Sequence, residues 1–234
     1  MNWPGWYPPI LAYHRVHPRP AADTPTLSPE VFRRQMRNLA TRWRPIPLSD
    51  LVSCLETKKP LPARAVVVTF DDGTEDNFIH AFPILLENRI PATVFMIADN
   101  VGKPGSLDTE QILKMRRGGI RFGSHSSHHA YLPSLPIEKV KEELTGSKNF
   151  LQKLGLDSEF ISYPGGGFTP EIIRAVQEAG YRGACTTNRG IRRFPPDRWA
   201  LRRITMHGNT SSPFGIWLRC CGFYGLNRRL RTPA

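Results

Sequence analysis

The sequence predicts an α/β protein whose parallel β/α units close, or nearly close, into a barrel. Segments with strand and helix signals alternate along most of the 234 residues, which is typical of a parallel sheet with helical crossovers. The run AVVVTF at 65–70 is apolar at successive positions, as expected for a strand covered on both faces. Polar clusters follow the predicted strand ends, where β/α barrels carry their active sites.

The segment before residue 65 contains one predicted strand and two predicted helices. Residues 10–16 are predicted to form a strand that ends before a proline-containing loop. Ser28 has the properties of a helix N-cap, because Pro29 follows it and apolar residues then recur at helical spacing. A second, shorter helix is predicted with Ser49 as its N-cap.

Strands and helices alternate from residue 65 to residue 204. Strands are predicted at 65–70, 92–97, 120–123, 160–163, 182–185 and 201–204. The helices between them are predicted at 76–88, 108–117, 137–154 and 170–178. Because no internal repeat or linker interrupts the series, residues 1–234 are expected to form a single domain with a motif-bearing core at about 10–206.

The chain is strongly basic, with 32 Lys and Arg against 20 Asp and Glu and a net charge of +12. This balance favours an anionic partner or a solvated basic surface. Nucleic acid is not expected, because the sequence has no zinc-finger, basic-zipper or RNP motif. The C-terminal segment, about 207–234, mixes aromatic and basic residues and is expected either to contact an anionic membrane face or to form the helix that closes the barrel.

Cysteine usage and the N-terminus bear on the cellular compartment. None of the four cysteines forms a C-x-x-C pair, and the adjacent Cys220 and Cys221 would bridge poorly, so reduced thiols are predicted. The N-terminus lacks the basic and apolar regions of a secretory signal, and no stretch approaches the roughly 20 apolar residues of a membrane span. These features predict a cytoplasmic protein, with contact at the inner membrane face as the only membrane association.

Two adjacent carboxylates, Asp71 and Asp72, follow the buried run at 65–70. At the mouth of an apolar strand they would repel each other unless a cation or hydrogen bonds compensated their charge. One aspartate could ligate a metal while the other, turned away at Gly73, stays free as a base. The alternative interpretation is a helix N-cap or an Asx-turn, which Asp-Asp-Gly also fits.

A histidine-rich segment, GSHSSHH at 123–129, follows another predicted strand. His125 and His129 are four residues apart, so one turn of helix would project both to the same side, with His128 pointing elsewhere. Neutral imidazoles together with a carboxylate suit zinc and similar divalent ions. An ordinary polar loop is the alternative, but the aspartate pair at another strand end favours a metal site.

A third cluster, SYPGGGF at 162–168, places glycines at a strand terminus. Glycines there would let a substrate approach main-chain N–H groups, which could stabilise an oxyanion. Pro-Gly-Gly is also an ordinary turn, so this cluster alone is a weak signal.

Together, TFDDG at 69–73 and HSSHH at 125–129 resemble the first two motifs of the NodB-homology polysaccharide deacetylases, carbohydrate esterase family 4. The resemblance extends from about residue 10 to about residue 204 and implies an irregular (β/α) barrel. It implies that Asp71 is the general base and that the metal ligands are Asp72, His125 and His129. The implied metal is Zn²⁺, and Co²⁺, Fe²⁺ or Ni²⁺ would also be compatible. In the implied mechanism a backbone N–H stabilises the tetrahedral oxyanion, and Tyr163 is the predicted donor.

Two family motifs are not intact in this chain. Many members have an arginine in the third motif and a Leu-x-His fifth motif whose histidine is the general acid. Arg203, in the segment LRRI at 201–204, is predicted to supply the missing cation and to orient or charge the catalytic aspartate; a structural or surface role is the alternative. His14 and His207 are the two candidates for the general acid, and His14 is included in the predicted catalytic set.

The predicted function is metal-dependent hydrolysis of an N-acetyl group from an amino sugar. Its substrate would be an N-acylated amino-sugar glycan or a lipid-linked saccharide. Two alternatives remain: removal of formyl from a lipid-linked amino sugar at the same kind of site, and a non-catalytic barrel that binds glycans. An intact Asp71 argues against the latter, since binding alone does not require a free carboxylate beside the ligand. Nucleic-acid binding would rest on the charge only.

Overall fold

A computed structural model describes residues 8–19, 24–188 and 197–208, together with Gly215. The strands of this part of the chain are Ile10–Tyr13 (β1), Arg15–Val16 (β2), Thr26–Leu27 (β3), Arg44–Pro45 (β4), Ala65–Phe70 (β5), Ala92–Met96 (β6), Arg121–Ser124 (β7), Phe160–Ser162 (β8), Gly183–Thr186 (β9) and Leu201–Thr205 (β10). The α-helices are Pro29–Arg42 (α1), Leu48–Thr57 (α2), Phe82–Glu87 (α3), Thr109–Arg117 (α4), Ile137–Lys153 (α5) and Pro170–Glu178 (α6).

The main sheet is parallel and closes on itself. Its strand order is β1-β10-β9-β8-β7-β6-β5, and β1 also pairs with β5 through Ile10↔Val67 to Tyr13↔Phe70. The short β4 adds to the first two residues of β5 outside the ring. The predicted barrel is therefore confirmed, and it is irregular because the described residues close it with seven strands where a regular β/α barrel has eight.

The barrel strands are apolar on both faces because each face packs on a separate cluster. In β5, Val66 and Val68 belong to the outer cluster with α1 and α3, whereas Ala65 and Val67 belong to the inner one. The inner cluster also contains Ile10 and Leu201, the first residues of their strands, and residues of α2. Helix α2 therefore covers the end of the barrel where strands begin, and the opposite end remains for the polar clusters.

The described residues differ from the sequence prediction in the first elements. The strand predicted at 10–16 is interrupted at His14, because β2 leaves the barrel and pairs with β3 in a separate two-stranded sheet. The N-cap prediction for Ser28 is confirmed, since its side chain accepts a hydrogen bond from the N–H of Val31 at 3.3 Å. The Ser49 prediction is wrong: α2 begins at Leu48, and Pro47 is its N-cap.

The helix predicted at 76–88 begins in a different conformation. Residues Asn77–Ala81 form a turn of π-helix that continues into α3. Pro83, at the start of α3, has no N–H to donate to the preceding turn, which accounts for the altered bonding pattern. The polar residues at the start of this segment, Asp76 and Asn77, are buried against the chain leaving β1.

Several sequence predictions concern residues outside the described part of the chain. Cys220, Cys221 and nearly all of the segment 207–234 lie there, including the aromatic and basic residues predicted to meet a membrane or close the barrel. Cys54 and Cys185 are described and are free thiols, as predicted. Among the described helices, none is long and apolar enough to cross a membrane.

Candidate metal centre and catalytic site

The polar clusters of the sequence meet at the carboxyl ends of neighbouring barrel strands. Asp71 and Asp72 follow β5, His125 follows β7, and Ser162 is the last residue of β8. These strands are close together in the barrel, with only β6 between β5 and β7. Parallel pairing brings their ends to one rim, which is where the chemistry of β/α barrels is located.

Asp72, His125 and His129 form a group that fits a divalent cation. One ligand atom from each residue lies within 4.8 Å of the other two. Asp72 Oδ1 is 3.6 Å from the Nε2 atoms of both histidines. Nδ1 of His125 donates to the carbonyl oxygen of Ser162 at 2.7 Å, which leaves the Nε2 lone pair facing the group. One carboxylate and two imidazoles are a common donor set for zinc and related ions.

The turn after β5 separates the two aspartates. Asp72 and Gly73 both adopt positive φ, 71° and 66°, so the chain reverses directly after Asp71. A side chain at Gly73 would overlap Met96, with a Cβ only 2.4 Å from its sulfur. Asp71 is thereby buried, whereas the Asp72 side chain is 22% exposed and faces the histidines. The different orientation of the two carboxylates is the one that the sequence predicted.

The loop that carries the histidines is not the predicted turn of helix. Ser126 and His129 have positive φ, 63° and 60°, and the two imidazoles converge because the loop curls back on itself. The N–H of His129 donates to Ser126 Oγ at 3.0 Å, which closes the curl. His128 points away from Asp72 and contacts Asp99 and Glu143, in agreement with its predicted place outside the ligand set.

Arg203 holds Asp71 through a two-pronged ion pair. Its Nη1 and Nη2 atoms donate to Asp71 Oδ1 and Oδ2 at 2.7 and 2.6 Å, and both residues are 3% exposed. Nη1 also donates to Thr69 Oγ1 and Nη2 to Ser162 Oγ. The contact predicted from sequence is present, and Arg203 reaches it from β10, two strands away from β5 across the closure at β1.

Electrostatics in this pair keep the carboxylate charged. Burial would raise the pKa of Asp71, but the adjacent guanidinium of Arg203 outweighs burial and holds that pKa well below its usual range. Burial tends to lower the pKa of Arg203, and the carboxylate of Asp71 reverses this and raises it. Burial lowers the pKa of His125, which favours the neutral imidazole that binds metals. Asp71 is therefore an ionised carboxylate beside a group of candidate metal ligands.

His14 lies beside the same carboxylate. Its Nε2 atom is 4.0 Å from Asp71 Oδ2, and its side chain is 19% exposed. Its Nδ1 atom is buried without a hydrogen-bond partner among the described residues. Asn77 Nδ2 donates to the carbonyl of His14 at 2.9 Å and fixes this point of the chain. The other candidate acid, His207, is exposed; its role stays a prediction.

The prediction for Tyr163 is wrong. Its N–H donates to the carbonyl of Cys185 at 3.0 Å as part of the β8–β9 ladder, so this group is not available to an oxyanion. Its ring is buried in the cluster around α5 and α6, stacked on Phe168, and its hydroxyl donates to the carbonyl of Trp199. Tyr163 is thus a core residue whose N–H adds one backbone bond to the β8–β9 ladder directly after the end of β8.

Ser162 is a site residue that sequence reasoning did not single out. Its carbonyl accepts from the metal-ligand candidate His125, and its hydroxyl accepts from Arg203 at 2.6 Å. It therefore contacts both halves of the site. A small polar residue at the end of a buried apolar strand was the available signal, but only the spatial arrangement reveals its two partners.

Comparisons with known proteins agree with this geometry. Residues 58–184 match the family model described as polysaccharide deacetylase. YxkH of Bacillus subtilis, whose name places it in that family, is 29% identical over 212 residues, 90% of this chain and 75% of the relative. A peptidoglycan-N-acetylglucosamine deacetylase of Bacillus cereus is 27% identical over 124 residues, 53% of this chain. The chain spans only 56% of that second relative's length.

A solved structure shares the fold. The deacetylase PplD of Streptococcus pyogenes, in complex with acetate, superposes with a TM-score of 0.84 over 92% of this chain and 99% of that one, at 24% identity. The family match covers more than half of the chain and includes Asp71, Asp72, His125 and His129. The chain therefore belongs to the polysaccharide deacetylase family.

Proposed function

We propose that the protein is a metal-dependent deacetylase that hydrolyses the N-acetyl group of an amino sugar in a polysaccharide or glycolipid. The observation that carries the proposal is an ionised, buried carboxylate, Asp71, directly beside a three-ligand cation site that contains Asp72. Family membership and the named activity of the Bacillus cereus relative support the same chemistry. The proposed substrate is an N-acylated amino-sugar glycan or a lipid-linked saccharide.

Asp71 is the proposed general base. When bound, a divalent cation polarises the amide carbonyl and lowers the pKa of the attacking water. Asp71 takes the proton that this water loses, which requires an ionised carboxylate, and Arg203 keeps it ionised while fixing both of its oxygens. The carbon–nitrogen bond of the amide then breaks, and acetate and the free amine of the sugar are released.

The glycine turn after β8 is the proposed source of a backbone donor for the tetrahedral oxyanion. The N–H of Tyr163 is engaged in the sheet, Pro164 has no N–H, and that of Gly166 donates to the carbonyl of Tyr163. Gly165, at φ 63°, has an N–H that meets no backbone carbonyl within the described ranges. We assign the donor to Gly165, because it is the first N–H in the turn that is free to face a substrate.

His14 is the proposed general acid that protonates the leaving amine. It is the more buried of the two candidate histidines and lies 4.0 Å from the proposed base. A proton donor near the base can serve the leaving group once the tetrahedral adduct has formed. Zn²⁺ is the proposed native cation, although one carboxylate and two imidazoles also accept Co²⁺, Fe²⁺ and Ni²⁺.

An assay of released acid tests the proposal. Zn²⁺-loaded protein would be incubated with chitooligosaccharides, peptidoglycan fragments and lipid-linked amino sugars, and acetate and formate would be quantified separately. The Asp71→Asn variant is the control, because it keeps the three ligands and removes the base. Loss of a general base lowers kcat by about 10² to 10⁴ fold. Acetate release by the wild type, lost in Asp71→Asn, supports the proposal.

The other results each point to a specific alternative. Formate release in place of acetate favours deformylation of a lipid-linked amino sugar at the same site. Glycan binding without release of either acid, unchanged in Asp71→Asn, favours a non-catalytic barrel. Acetate release that survives Asp71→Asn refutes the assigned base.

A further inference from the structure

The loop between β7 and α5 has to be held in shape from outside. Its first part, residues 125–131, contributes two of the three candidate cation ligands, His125 and His129, yet lies in no helix or strand. Ser126 and His129 occupy the left-handed region, which is unfavourable for residues other than glycine. Such a loop keeps one conformation only when neighbouring groups fix it.

Glu143, in the second turn of α5, contacts this loop through both its carboxylate and its backbone carbonyl. Its Oε2 atom accepts from the N–H groups of both Ser127 and His128 at 3.0 Å, and its Oε1 atom pairs with His128 Nδ1. The hydroxyl of Ser127 donates to the backbone carbonyl of Glu143 at 3.2 Å. Glu143 is only 9% exposed and Ser127 7%, so the bonds between these two residues are shielded from water, whereas the His128 side chain is 63% exposed.

The same face of α5 approaches the loop at two further positions. Gly146 and Ser147 follow Glu143 at i+3 and i+4 and therefore share its side of the helix. A Cβ on Gly146 would lie 3.0 Å from the hydroxyl of Ser127, so the glycine permits the close contact. Ser147 Oγ is 2.7 Å from Ser124 Oγ at the start of the loop.

We propose that Glu143 is a positioning residue that sets the affinity of the site for its divalent cation. By fixing the two backbone N–H groups directly before His129, it places that imidazole within reach of the same ion as His125 and Asp72. The electrostatic partner of Glu143 is His128, which explains a histidine next to the ligands that is not itself a ligand. The inference rests on the proposed function in one respect: it assumes that the cation bound by Asp72, His125 and His129 is the one that takes part in hydrolysis.

The test measures cation binding in the absence of substrate. The cation-free wild type and variants would be titrated with Zn²⁺ against a chromogenic chelator, and with Co²⁺ by absorption spectroscopy. Loss of groups that orient metal ligands weakens affinity by about 10 to 100 fold, and this is the expected effect of Glu143→Ala. Glu143→Gln is expected to recover part of the affinity, because its amide oxygen still accepts from the loop.

Glu142→Ala is the matched control, since Glu142 neighbours Glu143 on the helix but is exposed, and its one ion pair among the described residues is with Lys139. Its affinity is expected to equal that of the wild type. Thermal unfolding of the cation-free proteins separates a general loss of stability from a loss of affinity in the folded state.

Wild-type affinity in folded Glu143→Ala overturns the inference. Should that variant fail to fold, Glu143→Asp is measured in its place, because its side chain is one methylene shorter and its carboxylate no longer reaches the loop. Weaker cation binding in Glu143→Asp supports the inference, and wild-type affinity overturns it. Failure of the proposed function is a separate result, namely a wild type that binds the cation and releases no acetate.

Discussion

Replacing Arg203 by methionine would leave a buried carboxylate without its counter-ion. The guanidinium makes two bonds to Asp71 and one each to Thr69 and Ser162, and it lies over the ring of Phe95 at 5.3 Å. Methionine keeps much of the apolar contact and removes every hydrogen bond. Breaking a buried pair from one side costs about 3 to 5 kcal/mol, so the free energy of unfolding of Arg203→Met should fall by that amount at neutral pH.

The pH dependence of stability should also change sign in this variant. In the wild type the folded-state pKa of Asp71 lies below its unfolded value of about 3.9. The stability that the ion pair contributes is therefore fully present above about pH 3.9 and is lost as the pH falls through the folded-state pKa. Without Arg203, burial raises the folded-state pKa above the unfolded one. The folded variant then binds the proton more tightly, and its stability should decrease as pH rises above about 4.

Urea unfolding of the cation-free proteins at pH 5 and pH 8 measures both effects. Asp71→Asn/Arg203→Met should be more stable at pH 8 than Arg203→Met alone, because no unpaired charge remains. Arg121→Met is the surface control: its pair with Asp157 is more than half exposed on both sides and should contribute at most about 1 kcal/mol. A loss below about 1 kcal/mol in Arg203→Met, with the wild-type pH dependence, would refute the assigned role of the pair.

Three further predictions concern the rim of the barrel. His14→Ala should lower kcat by about 10² fold or more while leaving Zn²⁺ affinity unchanged, and unchanged turnover would exclude it as the acid. Tyr131 is 53% exposed and lies against the glycine turn, where a Cβ on Gly167 would be 2.4 Å from its ring. Such an exposed ring can pack on a sugar face, so Tyr131→Ala should raise KM for oligosaccharides about threefold to tenfold with little change in kcat. Chelation of the cation should lower the Tm of the wild type, and Asp72→Ala should abolish that shift in calorimetry.

The fold and the convergence of the three candidate ligands were predictable because their signals are local. A run of six buried residues in β5, five of them apolar, with helices of regular period between strands, is enough to indicate a parallel sheet. The candidate ligands Asp72, His125 and His129 follow strand ends, and parallel strands bring such ends together. Their convergence therefore follows from topology and requires no knowledge of the loops.

Loop conformation was less predictable because it depends on partners distant in sequence. The spacing of His125 and His129 suits a helical turn, but Glu143 on α5 engages the N–H groups between them and stabilises a curled loop in place of it. Likewise the glycines after Tyr163 suggested free N–H groups from that residue onward, whereas Cys185 on β9 extends the ladder by one more bond. In both cases a contact across the fold overrides the local signal.

The incomplete third motif acquires a physical explanation from Ser162 and Arg203. An arginine in that motif would place a guanidinium group at the end of β8, next to Asp71. Here the guanidinium group belongs to Arg203 on β10, and the hydroxyl of Ser162 accepts a hydrogen bond from it at 2.6 Å. Two guanidinium groups at that distance would repel each other in a buried space, so an arginine at position 162 would be unfavourable beside Arg203. Because the carbonyl of the same serine accepts from His125, Ser162 connects the Arg203–Asp71 pair to the candidate cation site.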